Sequence, residues 1–106
     1  MRKYDITALG EILIDFVPDG KDPVGDMRFI RKAGGAPLNV LVTAAKAGLN
    51  TAFIGRVGDD LLGDFLIDTV RSCGISCDYI KKDEEHNTTL AFVELDSRGD
   101  RRFSFY

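Results

Sequence analysis

Two places in this sequence force a strand to turn into a helix at glycine. The first is Ala33-Gly34-Gly35-Ala36-Pro37-Leu38-Asn39-Val40. The second is Gly55-Arg56-Val57-Gly58-Asp59-Asp60, with Gly63 shortly after. Adjacent glycines let backbone come close to something else, because neither carries a Cβ. Pro37 suits the first turn of a helix, where its missing N–H costs nothing. Asn39 falls in that turn, beside free backbone donors at the positive end of the helix dipole. A polar ligand, such as a sugar or an anion, fits that geometry. The second junction repeats the plan: a strand from Thr51 to Val57 runs into Gly58 and an acidic helix start.

The elements around these junctions set the fold class. Tyr4 to Leu9 and Ile12 to Val17 read as strands, Pro18 to Gly25 as a loop, and Met27 to Arg31 as a third strand. Leu38 to Ala47 is apolar almost all round, which predicts a helix buried on several sides and stopped at Gly48. Asp60 to Cys73 carries Leu62, Phe65, Leu66, Val70 and Cys73 on one stripe, a second helix stopped at Gly74. Lys81 to Asn87 reads as a solvated loop. Thr88 to Leu95 and Arg101 to Tyr106 read as a hairpin joined by Asp96 to Asp100. Strand–helix alternation argues for α/β architecture, with βαβ units of a mostly parallel sheet. The strands near 12–17, 27–31, 88–95 and 101–106 fall outside that alternation and suit a separate small sheet.

Few residues here can carry chemistry. Asp15 is the only charge in an apolar strand, where a carboxylate is costly unless solvated or partnered. It could accept two hydroxyls of a polyol, or it could be an edge-strand charge facing solvent. Gly34, Gly35 and Asn39 are the strongest site candidates, since a plain strand-to-helix turn needs about one glycine. Asp59 or Asp60 suits a helix cap, and Gly55 and Arg56 could border a pocket. His86, the only histidine, sits in a charged loop and reads as a surface residue. Cys73 and Cys77 match neither a redox Cys-x-x-Cys nor a zinc pattern, so no metal site is expected. There is no G-x-x-x-x-G-K-[ST] phosphate loop.

These segments together resemble the ribokinase-like (pfkB-type) carbohydrate kinases. "AGGAPLNV", "FIGRVGDDLLGDF", "ALGEILIDFVPDG" and "TTLAFVELDSRGDRRFSFY" look most like fructokinase segments, and the resemblance runs from Tyr4 to Tyr106. It implies a ribokinase-like fold whose extra strands form a lid over a sugar site. It implies that Asp15, Gly34, Gly35 and Asn39 bind the sugar, and that Tyr106 lines the pocket. It implies an intact protein that phosphorylates fructose with ATP and Mg2+, with the catalytic and ATP-binding part lying after Tyr106. Residues 1–106 are then expected to be the amino-terminal portion of one kinase domain, without catalytic or cofactor-binding residues of its own. A homodimer through the lid strands also follows from the resemblance. Other readings are a ribokinase, a 2-keto-3-deoxygluconate kinase or a nucleoside kinase of the same family, or a sugar-binding or dimerisation module without catalysis. Net charge is −3 with both signs interspersed, so nucleic acid and membrane partners are not expected. The start meets an apolar run too short for a signal peptide, and a cytoplasmic protein is the expectation.

Overall fold

The computed structural model describes residues 3–106. Its elements are β1 (Ile6–Leu9), β2 (Leu13–Lys21), β3 (Met27–Gly34), α1 (Ala36–Lys46), β4 (Thr51–Gly58), α2 (Leu61–Ser72), β5 (Ile75–Asp83), β6 (Leu90–Leu95) and β7 (Arg101–Phe105). They make two sheets. One is parallel, in the order β1-β4-β5; the other has the order β3-β2-β6-β7. The second sheet collects the four strands that strand–helix alternation leaves over. In it β2 pairs antiparallel with β3 and parallel with β6, and β6 pairs antiparallel with β7.

One core joins the two layers. Leu38 and Leu41 of α1 and Leu66 and Val70 of α2 pack with Phe53 and Val57 of β4, Ile75 of β5, and Ile12 and Ile14 at the root of the second sheet. Phe53 is fully buried while its neighbour Ile54 is 38% exposed. Successive side chains point to opposite faces of a strand, so the helices cover one face of the parallel sheet and leave the Ile54 face open.

Several expectations need correcting. The expected loop from Pro18 is strand as far as Lys21, with an irregularity between Pro18 and Lys21 where β2 turns toward β3. The real turn is shorter: the Asp22 carboxylate accepts the N–H groups of Val24 and Asp26 at 3.0 and 2.9 Å. The expected loop Lys81 to Asn87 is strand as far as Asp83. Its charges hid it, because β5 is an edge strand and exposes Asp78, Lys81 and Lys82. The hairpin's first strand begins at Leu90, leaving Thr88 and Thr89 as a junction. Helix α1 buries Leu38, Leu41 and Ala44 but leaves Val40 58% exposed, so its apolar far side lies uncovered in this chain.

Candidate functional site

The two sheets are joined at three chain crossings: Gly10 to Ile12, Gly35 to Asn50 by way of α1, and Glu84 to Thr89. The candidate site forms at the second. Leu13 pairs with Gly34 and Asp15 with Lys32, so β2 and β3 carry Asp15 and Gly34 on one face. A Cβ on Gly34 would collide with the Asp15 carboxylate, whose Cγ lies 3.0 Å from that position. Glycine at 34 therefore makes the room that the carboxylate occupies. Asp15 is half-buried, and among the described residues no side-chain hydrogen bond or ion pair engages it. An anion held partly out of water without a partner is a ready acceptor for ligand hydroxyls.

Gly35 comes next, with φ +112°, a conformation that side chains rarely adopt, and a Cβ there would lie 2.5 Å from the Glu11 carbonyl oxygen. Two facts thus demand glycine: the backbone angle and the passing Glu11 backbone. Helix α1 starts at once, with Gly35 as its N-cap, Pro37 in the first turn and no side-chain cap. Asn39 donates its N–H to the Gly35 carbonyl at 3.3 Å. Its side chain is exposed on the open face of α1, beside Val40 and Thr43.

Tyr106 does not join this group. It exchanges backbone hydrogen bonds with Leu90 at 2.7 and 2.8 Å, and Leu90 stands opposite Ile14. Alternation puts Tyr106 on the Ile14 face, away from Asp15. There its ring meets Phe92 edge-on at 5.8 Å, and Phe92 stacks on Phe16 at 4.9 Å. The residue in line with Asp15, through Ala91, is Phe105. Sequence reasoning missed Phe105 because the choice depends on the hairpin register.

The third crossing is held by Asp60. It caps α2 by accepting the Gly63 N–H at 2.7 Å, and the same carboxylate accepts the Thr88 N–H at 2.9 Å and the Thr88 hydroxyl at 2.7 Å. The Thr88 Oγ1 in turn accepts the buried Gly58 N–H at 2.9 Å. Glycines 58 and 63 make this possible, since a Cβ on either would run into the Asp60–Thr88 segment or the Gly58 carbonyl. Burial pushes the Asp60 carboxyl up, but the hydrogen bonds from Thr88, Gly63 and Leu62 outweigh it and hold it below the ordinary value. A carboxyl that titrates lower in the folded state stabilises the fold above its unfolded pKa, near 3.8, and loses that contribution as pH falls through the folded value. Asp60→Asn should therefore destabilise the protein at pH 7 by about 1–3 kcal/mol. The gap to wild type should shrink at pH 3, and denaturant titration at the two pH values checks this.

Beside this crossing lies a polar recess of about 170 Å3 lined by Arg56, Asp83, His86, Asn87 and Thr88. Arg56 lies 3.8 Å from the Asp83 carboxylate, and His86 Nδ1 lies 3.0 Å from it. Backbone N–H donation from Glu85 leads the contacts that hold the Asp83 carboxyl low, with His86 adding to it. His86 itself is exposed. Burial pushes the Cys77 thiol up, away from the thiolate form. Among the described residues no cluster of His, Cys, Asp or Glu could hold a metal ion, and no helix is long and apolar enough to cross a membrane.

Comparison with known proteins places this geometry. Fructokinase-2 of rice (Oryza sativa subsp. japonica) is 42% identical over 103 residues, 95% of this chain and 31% of that protein. A fructokinase of Klebsiella pneumoniae is 39% identical over 94% of this chain and 31% of its own length. The crystal structure of a fructokinase from Xylella fastidiosa superposes with a TM-score of 0.87 at 42% identity, covering 95% of this chain and 31% of that one. A fructokinase from Vibrio cholerae O395, in its fructose-, ADP- and calcium-bound form, gives a TM-score of 0.78 at 32% identity over 93% of this chain and 30% of that one. The fold is therefore ribokinase-like, and the chain spans about a third of the length of the relatives it matches. The family model for pfkB family carbohydrate kinases matches residues 3–106, and the chain belongs to that family.

Proposed function

We propose that this chain is the sugar-binding and lid portion of a kinase that transfers the γ-phosphoryl group of ATP to fructose, at its 6-hydroxyl. The observation that carries this reading is the partnerless Asp15 carboxylate seated against Gly34, at the entry to a helix whose first turn begins with Gly35. Asp15 would accept hydroxyl protons of the sugar, and the Asn39 amide would donate and accept at the helix start. Gly34 makes the room in which the Asp15 carboxylate sits and Gly35 lets the Glu11 backbone pass, so both glycines would serve the sugar through the shape of the site. The similarity to fructokinases of plants and bacteria supports the substrate, and the fructose- and ADP-bound Vibrio cholerae structure supports a sugar and nucleotide pair. In this reading ATP, its metal ion and the catalytic base would be held by the part of the kinase, about two thirds of the relatives' length, that this chain does not span. Residues 1–106 then make up the amino-terminal portion of one kinase domain, working in the cytoplasm. A coupled ADP-release assay on the full-length protein, run over a panel of sugars, tests the reading. The highest kcat/KM is expected for fructose; a higher value for ribose, a nucleoside or 2-keto-3-deoxygluconate would overturn the substrate.

The lid sheet also suits pairing of two copies. Its Phe92 face exposes Phe29 by 41% and Tyr106 by 75%, around an open hollow of about 510 Å3. Aromatic side chains bury large areas and dominate interfaces. In the full-length protein, Tyr106→Glu should convert a dimer to monomer, read by sedimentation velocity; an unchanged dimer would remove this face from the interface.

A further inference from the structure

The Asp60–Thr88 hydrogen bonds do more than cap a helix, because Thr88 leads within two residues into β6 and onto β2. The Thr89 carbonyl accepts the Ile14 N–H at 3.1 Å. Ile14 then pairs with Leu90, and Asp15 with Ala91. The path from the start of α2 to Asp15 is thus short and continuous: Asp60 carboxylate, Thr88 backbone and hydroxyl, Thr89 carbonyl, Ile14 amide, Asp15. Thr88 is 4% exposed, and both atoms that Asp60 engages are taken up in this arrangement, as is the Gly58 N–H beneath it. Helix α2 belongs to the parallel-sheet layer, and β2 to the other sheet. A bond set spanning that boundary ties the strand bearing Asp15, through β6, to the start of α2.

We infer that Asp60 and Thr88 act as a latch that positions Asp15 for the sugar, so that they are positioning residues of the reaction and not only a helix cap. Neither touches the sugar. The inference rests on the reading of Asp15 as the sugar's acceptor, and the latch acts mechanically: it sets the register of β6 on β2. Thr88→Val removes the hydroxyl, leaving the buried Gly58 N–H without its acceptor and Asp60 Oδ1 with the Gly63 N–H alone. Thr88→Ser restores both bonds.

The test uses the full-length protein and reads two quantities. Thr88→Val should raise the KM for fructose about tenfold, the size of one lost buried hydrogen bond. The KM for ATP should stay within about twofold, and Thr88→Ser should behave as wild type. Hydrogen exchange of the Ile14 amide should accelerate about tenfold in Thr88→Val, while the core strand β4 changes less. An unchanged fructose KM in folded Thr88→Val overturns the inference, even if Ile14 exchanges faster, because the latch would then serve stability alone. Equal acceleration across Ile14 and β4 overturns it too. If Thr88→Val does not fold, Asp60→Asn takes its place, since it keeps an acceptor for Gly63 while turning an amide toward Thr88. Asp15→Ala is the control that separates the two readings. If it leaves fructose KM unchanged, the sugar-site reading has failed, and the exchange of Ile14 still decides whether the latch sets the strand.

Discussion

In the full-length protein, Asp15→Ala should raise the KM for fructose by about 10- to 100-fold and leave the KM for ATP nearly unchanged, since a hydrogen bond from ligand to a charged group contributes roughly 1.5–3 kcal/mol. Gly34→Ala should do almost the same without touching the sugar. Its new methyl would occupy the space of the Asp15 carboxylate and push it from its place. The two changes act on one contact, so the double variant should cost little more than either alone, a coupling that additive sites would not show. Gly35→Val should be worse than both. It adds a branched side chain at φ +112°, against the Glu11 carbonyl oxygen, and strain of this kind costs about 1–3 kcal/mol before any ligand is considered. Steady-state kinetics over fructose and ATP, with a melt for each variant, checks the series. Full additivity of Gly34→Ala and Asp15→Ala would show that the carboxylate and the glycine act separately.

The parts of this architecture that could be read from sequence are those with a local cause. The two helices announce themselves by Pro37 and Asp60 at their starts and by glycines at their ends. Strand β4 is apolar on a short run bounded by turns. Strand β5 was not assigned from the sequence at all, because an edge strand carries charges on the very positions that make a loop look solvated. The tail of β2 was hidden by Pro18, which an antiparallel hairpin tolerates beside an irregularity. Within the candidate site, the glycines and Asp15 could be singled out as residue types out of place in apolar segments. Their contact could not, since it depends on the β2–β3 register. The same limit explains Tyr106 and Phe105: a shift of one residue reverses the face. The partnership of Asp60 with Thr88 spans 28 positions, and no spacing rule connects a helix cap to a strand that far along.

The 106-residue chain on its own should transfer no phosphoryl group and should self-associate. Its parallel sheet has only three strands, with both helices packed into one core and the other face bare. Parallel sheets are normally covered on both faces. On the bare side Ile54 is 38% exposed, and along the open edges Leu9 is 76% and Tyr79 46% exposed. Helix α1 adds Val40 at 58%, and Leu49 just after it is 41% exposed. The second sheet adds Phe103 at 51%, Phe105 at 64% and Tyr106 at 75%. A domain of this size has about 5–15 kcal/mol of net stability when its core is complete. Each large apolar side chain left in water forgoes about 1.5–3 kcal/mol, so a handful of them accounts for most of that margin. Strands β1 and β5 also present unpaired backbone at the sheet's edges, a template for pairing with another copy. Sedimentation velocity should find oligomers whose size grows with concentration, and a dye that fluoresces on apolar surface should bind. Heating should give a broad transition without a sharp midpoint. A monodisperse monomer with a cooperative melt and no dye binding would mean that these residues are covered in solution by the chain itself, and that a third of a kinase can stand as a module in its own right.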